Sequence, residues 1–303
     1  MNKAIIVVIL SLLCCVSKAI DINKETFNSL TYANGLAGET VRNMDVDHHG
    51  QIWMATGAGL TVFNGVRAHS YRFYCEKLKG NAKVYDVCEG LGNSIFVGTS
   101  EGVYEMKYGS DSFVNVLPNL ANSENLFAVG HLLYIGAREG LFLYDGKKAR
   151  KINMGKRAKL DYLPRHFVKD KQGNIWFDTR YSLCCYNPKT DKLVSKQITK
   201  QMPYNSLLAK FALCGNKVFV GTTSNGLFCM DMRTMNIHQV EGVGDMTSSI
   251  EVVDGTKLYV TTRGDGVFVL DANTEKVLWH YGTMEDGEYL LPTNRAECYL
   301  RVS

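Results

Sequence analysis

The sequence predicts an all-β fold, a β-propeller of four-stranded blades, with six repeats complete and a seventh begun at the C-terminus. Three observations predict it. The first is a loose internal repeat, in which an apolar pair, a Gly/Ala-Thr step, a turn glycine and a second apolar run recur. It reads IWMATGAGLTVF from Ile52, IFVGTSEGVYEM from Ile95, LYIGAREGLFLYD from Leu133, IWFDTRYSLCCYN from Ile175, VFVGTTSNGLFCMD from Val218 and LYVTTRGDGVFVLD from Leu258. The copies start 43, 38, 42, 43 and 40 residues apart, near the period of four-stranded propeller blades. The second is the alternation of apolar and polar residues within each copy, broken by turn residues and with almost no helical periodicity. The third is composition: 16 Tyr, 13 Phe and 28 Gly against 5 Pro suit strands joined by tight turns.

The N-terminus reads differently. MNKAIIVVILSLLCCVSKA places Lys3 before an apolar stretch from Ala4 to Val16 and small residues at Ser17 and Ala19, the pattern of a secretory signal peptide over residues 1–19. Such a stretch is short for a permanent membrane span. Ser11-Leu12-Leu13 before Cys14 lacks the small residue of a lipoprotein cleavage site, which disfavours a lipid anchor. The propeller is expected over 20–303, and the chain is expected in the periplasm after cleavage.

The first repeat sets the pattern for the rest. Val41–Asp47 is the inner strand, Gln51–Thr56 the second, Leu60–Phe63 the third and about Ala68–Phe73 the outer one. Asn64-Gly65, Asp145-Gly146 and Asp254-Gly255 supply turn residues that tolerate positive φ and so pin the register. A blade cannot cover its own apolar faces, so stacking against the next blade is required and one domain is expected. After the sixth copy, Trp279-His280-Tyr281 reads as an outer strand, and a partial repeat from about residue 295, over Arg295–Val302, reads as the inner strand of a seventh blade. Thr26–Tyr32 is the segment expected to lend that blade an outer strand.

Charge and cysteine content exclude some functions. Lys+Arg total 34 against 30 Asp+Glu; removal of Lys3 and Lys18 with the leader lowers the net charge from +4 to about +2, too little for nonspecific nucleic-acid binding. Seven cysteines remain after the leader: Cys75, Cys88, Cys184, Cys185, Cys214, Cys229 and Cys298. Their number is odd and no local Cys/His spacing suits zinc, so most read as small core residues of strands.

At this point a family can be named. Phe27 to Gly65, FNSLTYANGLAGETVRNMDVDHHGQIWMATGAGLTVFNG, resembles the opening repeat of the two-component-regulator propeller family. It supplies Gly35-Leu36, Val41, Asp47, Gly50, Ile52-Trp53, Thr56, Gly59-Leu60 and Phe63-Asn64-Gly65, with Ala55 where the family usually has Gly. The fourth repeat matches at Asp170, Gly173, Ile175-Trp176 and Thr179 and departs at Ser182, where the turn glycine should be. The resemblance implies the periplasmic sensor region of a Bacteroidetes-type hybrid two-component system. There, propellers precede a β-sandwich, a membrane helix and a histidine kinase, and sense a glycan breakdown product. The chain is accordingly expected to be a glycan-responsive sensor propeller, truncated before its membrane helix and kinase. The alternatives are a free-standing periplasmic binding or scaffold propeller, and a propeller glycosidase or polysaccharide lyase.

The position after the Thr/Ala of each copy runs Gly57, Ser100, Arg138, Arg180, Thr223 and Arg263. In a propeller this turn opens on the face that carries the blade-to-blade connections. Arg138, Arg180 and Arg263, with Tyr181 to stack on a sugar ring, are therefore the candidate ligand-binding residues. Guanidinium forks suit the carboxylate or sulfate of an acidic oligosaccharide. The alternative is that these arginines are solvated and paired with Glu101, Glu139 or Asp265. Connecting segments add Tyr74, Lys77, Lys79, Lys156, Arg157, Tyr162, Arg165 and Tyr204.

His48-His49 sits in a hairpin turn with its side chains expected to point apart, and no third ligand lies nearby. Asp47 and Asp170, in Asp-x-x-Gly-x-Ile-Trp, read as turn residues that bind backbone amides and not as acids. No catalytic residues, cofactor or metal are assigned, since no carboxylate pair, nucleophile motif or phosphate loop stands out. LDANTEKVLWHYGT from Leu270 resembles a quinoprotein-type hairpin, but a single copy with its Trp does not support quinone binding. The expected partners are an oligosaccharide and, if the chain is a fragment, further propeller, β-sandwich and kinase modules. A homodimer is left open, and nucleic acid is not expected.

Overall fold

The computed structural model describes residues 30–153 and 163–282. It is a β-propeller of six four-stranded antiparallel sheets. Blade one contains β1 (Val41–Val46), β2 (Ile52–Thr56), β3 (Gly59–Phe63) and β4 (Ala68–Tyr71), as the repeat predicts. A short hairpin, β5 (Tyr74–Cys75) with β6 (Gly80–Asn81), then leads to blade two: β7 (Val84–Gly90), β8 (Ser94–Thr99), β9 (Gly102–Met106) and β10 (Val114–Leu117). Blade three holds β11 (Ser123–Val129), β12 (Leu132–Ala137), β13 (Gly140–Tyr144) and β14 (Ala149–Lys151). Blade four holds β15 (Arg165–Lys169), β16 (Ile175–Asp178), β17 (Ser182–Asn187) and β18 (Lys192–Gln197). Blade five holds β19 (Leu208–Cys214), β20 (Lys217–Thr222), β21 (Leu227–Asp231) and β22 (Ile237–Val240). Blade six holds β23 (Thr247–Val253), β24 (Lys257–Thr262), β25 (Val267–Asp271) and β26 (Val277–Tyr281). The strand expected over Arg295–Val302, and with it the seventh blade, lies outside the described residues, as do residues 1–19. Of the segment Thr26–Tyr32, the described part ends in a 3-10 turn over Tyr32–Asn34, not a strand.

The chain falls into two compact units, divided between Phe167 and Val168. In each, the core lies between neighbouring blades. In the first unit, Trp53, Ala55 and Leu60 of blade one pack with Val84, Val87, Ile95 and Val97 of blade two. Phe96 and Val103 pack in turn with Leu126, Leu133 and Ile135 of blade three. In the second unit, Phe219, Leu227 and Cys229 pack with Ile250, Leu258, Val260 and Leu270. Within each unit the middle strands are buried between neighbouring blades, as β2 and β3 are, while outer strands such as β14 and β18 stay largely exposed.

The glycine of the Gly-Thr step is a packing requirement. A Cβ on Gly98 would lie 2.2 Å from the carbonyl oxygen of Ser123, and one on Gly136 would lie 2.0 Å from that of Pro164. Ser123 begins the inner strand of blade three and Pro164 immediately precedes that of blade four, so the second strand of one blade runs directly against the start of the next. The threonine closes the following turn. The Oγ1 of Thr56, Thr99, Thr222 and Thr262, all fully buried, donates to the carbonyl of Gly59, Gly102, Gly226 and Gly266 at 2.8–3.0 Å. Blade four keeps the threonine but not the glycine; there the Ser182 N–H donates to Thr179 Oγ1 at 3.1 Å, and Ser182 avoids positive φ.

Asp47 and Asp170 are turn residues, as the sequence reading has it. Asp47 Oδ1 accepts from the amides of His49 and Gln51 at 2.9 Å, while Oδ2 accepts the indole N–H of Trp53 at 2.9 Å. Asp170 repeats this with Gln172, Asn174 and Trp176. The aspartate thus ties the hairpin to the tryptophan of the next strand, which explains why the two residue types travel together.

Candidate functional site

The turn between second and third strands, and the start of the inner strand, lie at the same end of each blade. The N–H of the turn residue bonds the carbonyl that precedes the inner strand: Ser100 to Lys83 at 2.9 Å, Arg138 to Asn122 at 3.3 Å, Thr223 to Leu207 at 2.9 Å and Arg263 to Met246 at 2.9 Å. Arg180 is held through its carbonyl, which accepts from the Leu208 N–H at 3.0 Å. Arg138 therefore stands at this end of blade three in the first unit, and Arg180 and Arg263 at the same end of blades four and six in the second. Tyr181 follows in blade four, its carbonyl accepting from the Thr199 N–H at 3.4 Å.

A second feature of this end is not visible in the repeat. Every inner strand whose pairing is described carries an irregularity between its first and third residues: Val41/Asn43, Val84/Asp86, Ser123/Asn125, Leu208/Lys210 and Thr247/Ser249. The second residue is an extra one with no partner on the neighbouring strand, and a bulge of this kind re-aims its side chain. In blades one to three those residues are Arg42, Tyr85 and Glu124; in blades five and six they are Ala209 and Ser248. The polar content of these positions is therefore concentrated in the first unit.

There they form a connected group. The Arg42 guanidinium lies 5.4 Å from the centroid of the Tyr85 ring, a cation–π distance. Gly57, the turn residue of blade one, leaves room for it, since a Cβ there would lie 3.7 Å from Arg42 Nε and Nη2. The Tyr85 hydroxyl donates to Asn122 Oδ1 at 3.3 Å, and Asn122 is the residue whose carbonyl holds the Arg138 turn. Burial pushes the Glu124 carboxyl up, against the opposing charges of Arg42, Arg165 and Arg138. Three arginines, a phenol, an amide and one carboxylate thus share this end of the first unit, with a positive balance.

Arg138 and Arg165 are among the residues the sequence singles out. Arg42, Tyr85 and Glu124 are not, because a single extra residue in an inner strand leaves no trace in an apolar pattern. Tyr74 and Tyr204 are exposed, while Lys156, Arg157 and Tyr162 lie outside the described residues. His48 and His49 depart from expectation. Their rings do not point apart but lie 3.8 Å from centroid to centroid, both beside Tyr108. His48 Nδ1 is engaged by Glu89.

These features define the class of protein: a six-bladed β-propeller that presents polar and aromatic side chains at the strand-start end of its blades. No protein-family model and no curated protein matches the chain. Solved structures do. Two structures of the extracellular domain of BT4673 from B. thetaiotaomicron, described provisionally as a one-component system in one and a hybrid two-component system in the other, are 20% identical to it. Their TM-scores are 0.67 and 0.66, over 86% and 84% of this chain and 36% and 34% of theirs. This chain therefore spans about a third of the length of those domains. A catalytically inactive virginiamycin B lyase from Staphylococcus aureus, solved with quinupristin, is 12% identical with a TM-score of 0.62, over 78% of this chain and 82% of that one. The propeller is thus similar to extracellular domains of two-component systems and, more distantly in sequence, to an enzyme. No helix among the described residues is long and apolar enough to cross a membrane.

Proposed function

We propose that the chain is the ligand-sensing propeller of a glycan-responsive hybrid two-component receptor. In this reading it works in the periplasm after loss of its signal peptide, and its membrane helix and kinase lie beyond the sequence in hand. The observation that carries the reading is the group of Arg42, Tyr85, Glu124 and Arg138 at the bulged end of the first unit; Arg180 and Arg263 take the equivalent repeat positions in the second. A sugar acid offers what such a group accepts: a carboxylate or sulfate for the guanidinium forks, a ring face for tyrosine, and hydroxyls for a carboxylate and an amide. A sensor needs only binding and release. A glycosidase of the usual kind needs two carboxylates about 5–10 Å apart across the scissile bond, and Glu124 is surrounded by arginines instead.

The test is to fractionate the source organism and probe with antibody against this propeller. A band several times larger than the predicted mature chain, in the membrane fraction, is expected. A band near the mature size in the soluble periplasm would contradict the receptor reading and favour a free-standing binding or scaffold protein.

A further inference from the structure

A group of donors unrelated to the site above meets between blades five and six. Cys229 on β21 and His238 on β22 are register partners across an antiparallel pair, so their side chains leave the same face of blade five side by side. Cys229 is buried, and His238 is exposed. The third member comes from blade six. Glu275 closes the turn between β25 and β26 with φ +62, and its N–H donates to the Asp271 carbonyl at 2.8 Å. Asp271 Oδ1 accepts from the amides of Asn273 and Thr274 at 3.0 and 2.7 Å, which fixes the turn that presents the glutamate.

The donor atoms converge. His238 Nε2 lies 2.6 Å from Glu275 Oε2, and the Cys229, His238 and Glu275 ligand atoms all lie within 4.8 Å of one another. Lys217 occupies the other carboxylate oxygen, with Nζ 2.7 Å from Oε1, and is itself held by the carbonyls of Ala272 at 3.1 Å and Asn273 at 2.8 Å. Oε2 is thereby left facing the imidazole, and the Cys229 thiol lies against the same carboxylate. The equivalent turn in blade five, Asp231 to Met235, has the same positive φ and the same closing bond, but ends in a methionine packed against the apolar core. The repeat thus accounts for the turn and not for the glutamate. In blade four the equivalent residue is Asp191, at φ +52, whose carboxylate accepts from the Tyr186 hydroxyl at 2.6 Å, whereas in blade six Glu275 stands opposite a cysteine and a histidine.

We infer that Cys229, His238 and Glu275 form a binding site for one divalent transition-metal ion, zinc by the chemistry of its donors. One sulfur, one imidazole nitrogen and one carboxylate oxygen suit a borderline-soft ion, whereas calcium and magnesium take oxygen alone. Ligands at about 2.0–2.3 Å from a tetrahedral centre stand roughly 3.3–3.8 Å from one another, so these atoms need to adjust by about an ångström or less. Binding replaces the His238–Glu275 hydrogen bond with two metal bonds and converts the Cys229 thiol to a thiolate, releasing its proton to solvent. Lys217 supports the carboxylate from behind, and the fourth position opens to solvent beside His238. The ion would staple the outer hairpin of blade six to blade five. This inference is independent of the ligand-sensing reading.

The experiment is a titration of the full chain, free of any affinity tag, with cobalt(II) and then zinc(II). One equivalent of cobalt is expected to give intense tetrahedral d–d bands and a sulfur-to-cobalt charge-transfer band, all removed by one equivalent of zinc. Cys229→Ser is expected to abolish the charge-transfer band. His238→Ala, at an exposed position where folding is not at risk, is expected to weaken binding, and Lys217→Met to weaken it by about 10–100-fold. Absence of the charge-transfer band, its survival in Cys229→Ser, or unchanged affinity in a folded His238→Ala would each overturn the proposal.

Discussion

Replacing Gly98 with alanine tests how closely neighbouring blades approach. Gly98 lies in the middle of blade two and does not have positive φ, so alanine costs nothing in backbone conformation there. Its Cβ would lie 2.2 Å from the Ser123 carbonyl oxygen and 3.4 Å from Leu126 Cγ. Ordinary contact begins near 3.4 Å, so about 1.2 Å must be found, and the obstacle is backbone anchored at the start of an inner strand. Overpacking of this kind costs about 1–3 kcal/mol. For a domain of this size that is a fall in Tm of roughly 2–6 °C. Gly57→Ala is the matched control. Its Cβ would meet only the Arg42 guanidinium at 3.7 Å, and its φ is not positive, so it should melt at or slightly above wild type. Thermal unfolding followed by circular dichroism distinguishes them. A Gly98→Ala protein that melts with wild type would refute the blade packing described here.

Three further outcomes follow from the same geometry. Thr222→Val keeps the shape but removes the Oγ1 bond to the Gly226 carbonyl and the acceptor for the Asn225 N–H at 3.0 Å; a loss of about 1–3 kcal/mol in urea unfolding is expected, and no loss would mean the turn is not held this way. Burial opposes ionisation of Asp170, but hydrogen bonds from Trp176, Asn174 and Gln172 outweigh it and hold its carboxyl below the usual range. Its stabilisation is therefore fully present above the unfolded value of about 3.9 and lost as pH falls through the lower folded one. Asp170→Asn should be weakened at neutral pH and lose less on acidification below about pH 4; parallel pH profiles would contradict this. Burial pushes the Cys184 thiol up to about 12, so it should resist a disulfide reagent at pH 8 until the protein unfolds, and rapid native labelling at that residue would show the core to be open.

The blades were legible in the sequence because propeller stacking makes similar demands on many of them: a glycine at 98, 136 and 221 where the next blade presses close, and an Asp-Trp pair in blades one and four where a hairpin is tied. Departures from the repeat were legible as departures, but not their structural reason. Ser182 is tolerated because the threonine before it holds the turn without positive φ. What stayed hidden depends on contacts between blades. Arg42, Tyr85 and Glu124 look like ordinary strand residues until a one-residue bulge sets them apart, and register is not written in composition. Cys229, His238 and Glu275 show no ligand spacing along the chain, because one of the three belongs to a different blade. The hairpin turn at His48 and His49 predicts diverging side chains, but Tyr108 packs beside both rings and Glu89 holds His48, so the two lie on one side.

The central claim is that the strand-start ends of these blades bind an acidic sugar through arginine. Calorimetric titration of the chain with an oligogalacturonate, a sulfated oligosaccharide and a neutral oligosaccharide of equal length tests it most directly, against an Arg138→Ala/Arg180→Ala/Arg263→Ala variant shown to be folded. The account predicts binding of an acidic ligand over the neutral one, weakened at least about tenfold per charge-assisted contact removed. Equal affinity for the acidic and neutral sugars, or acidic binding that the triple variant retains in full, would contradict it.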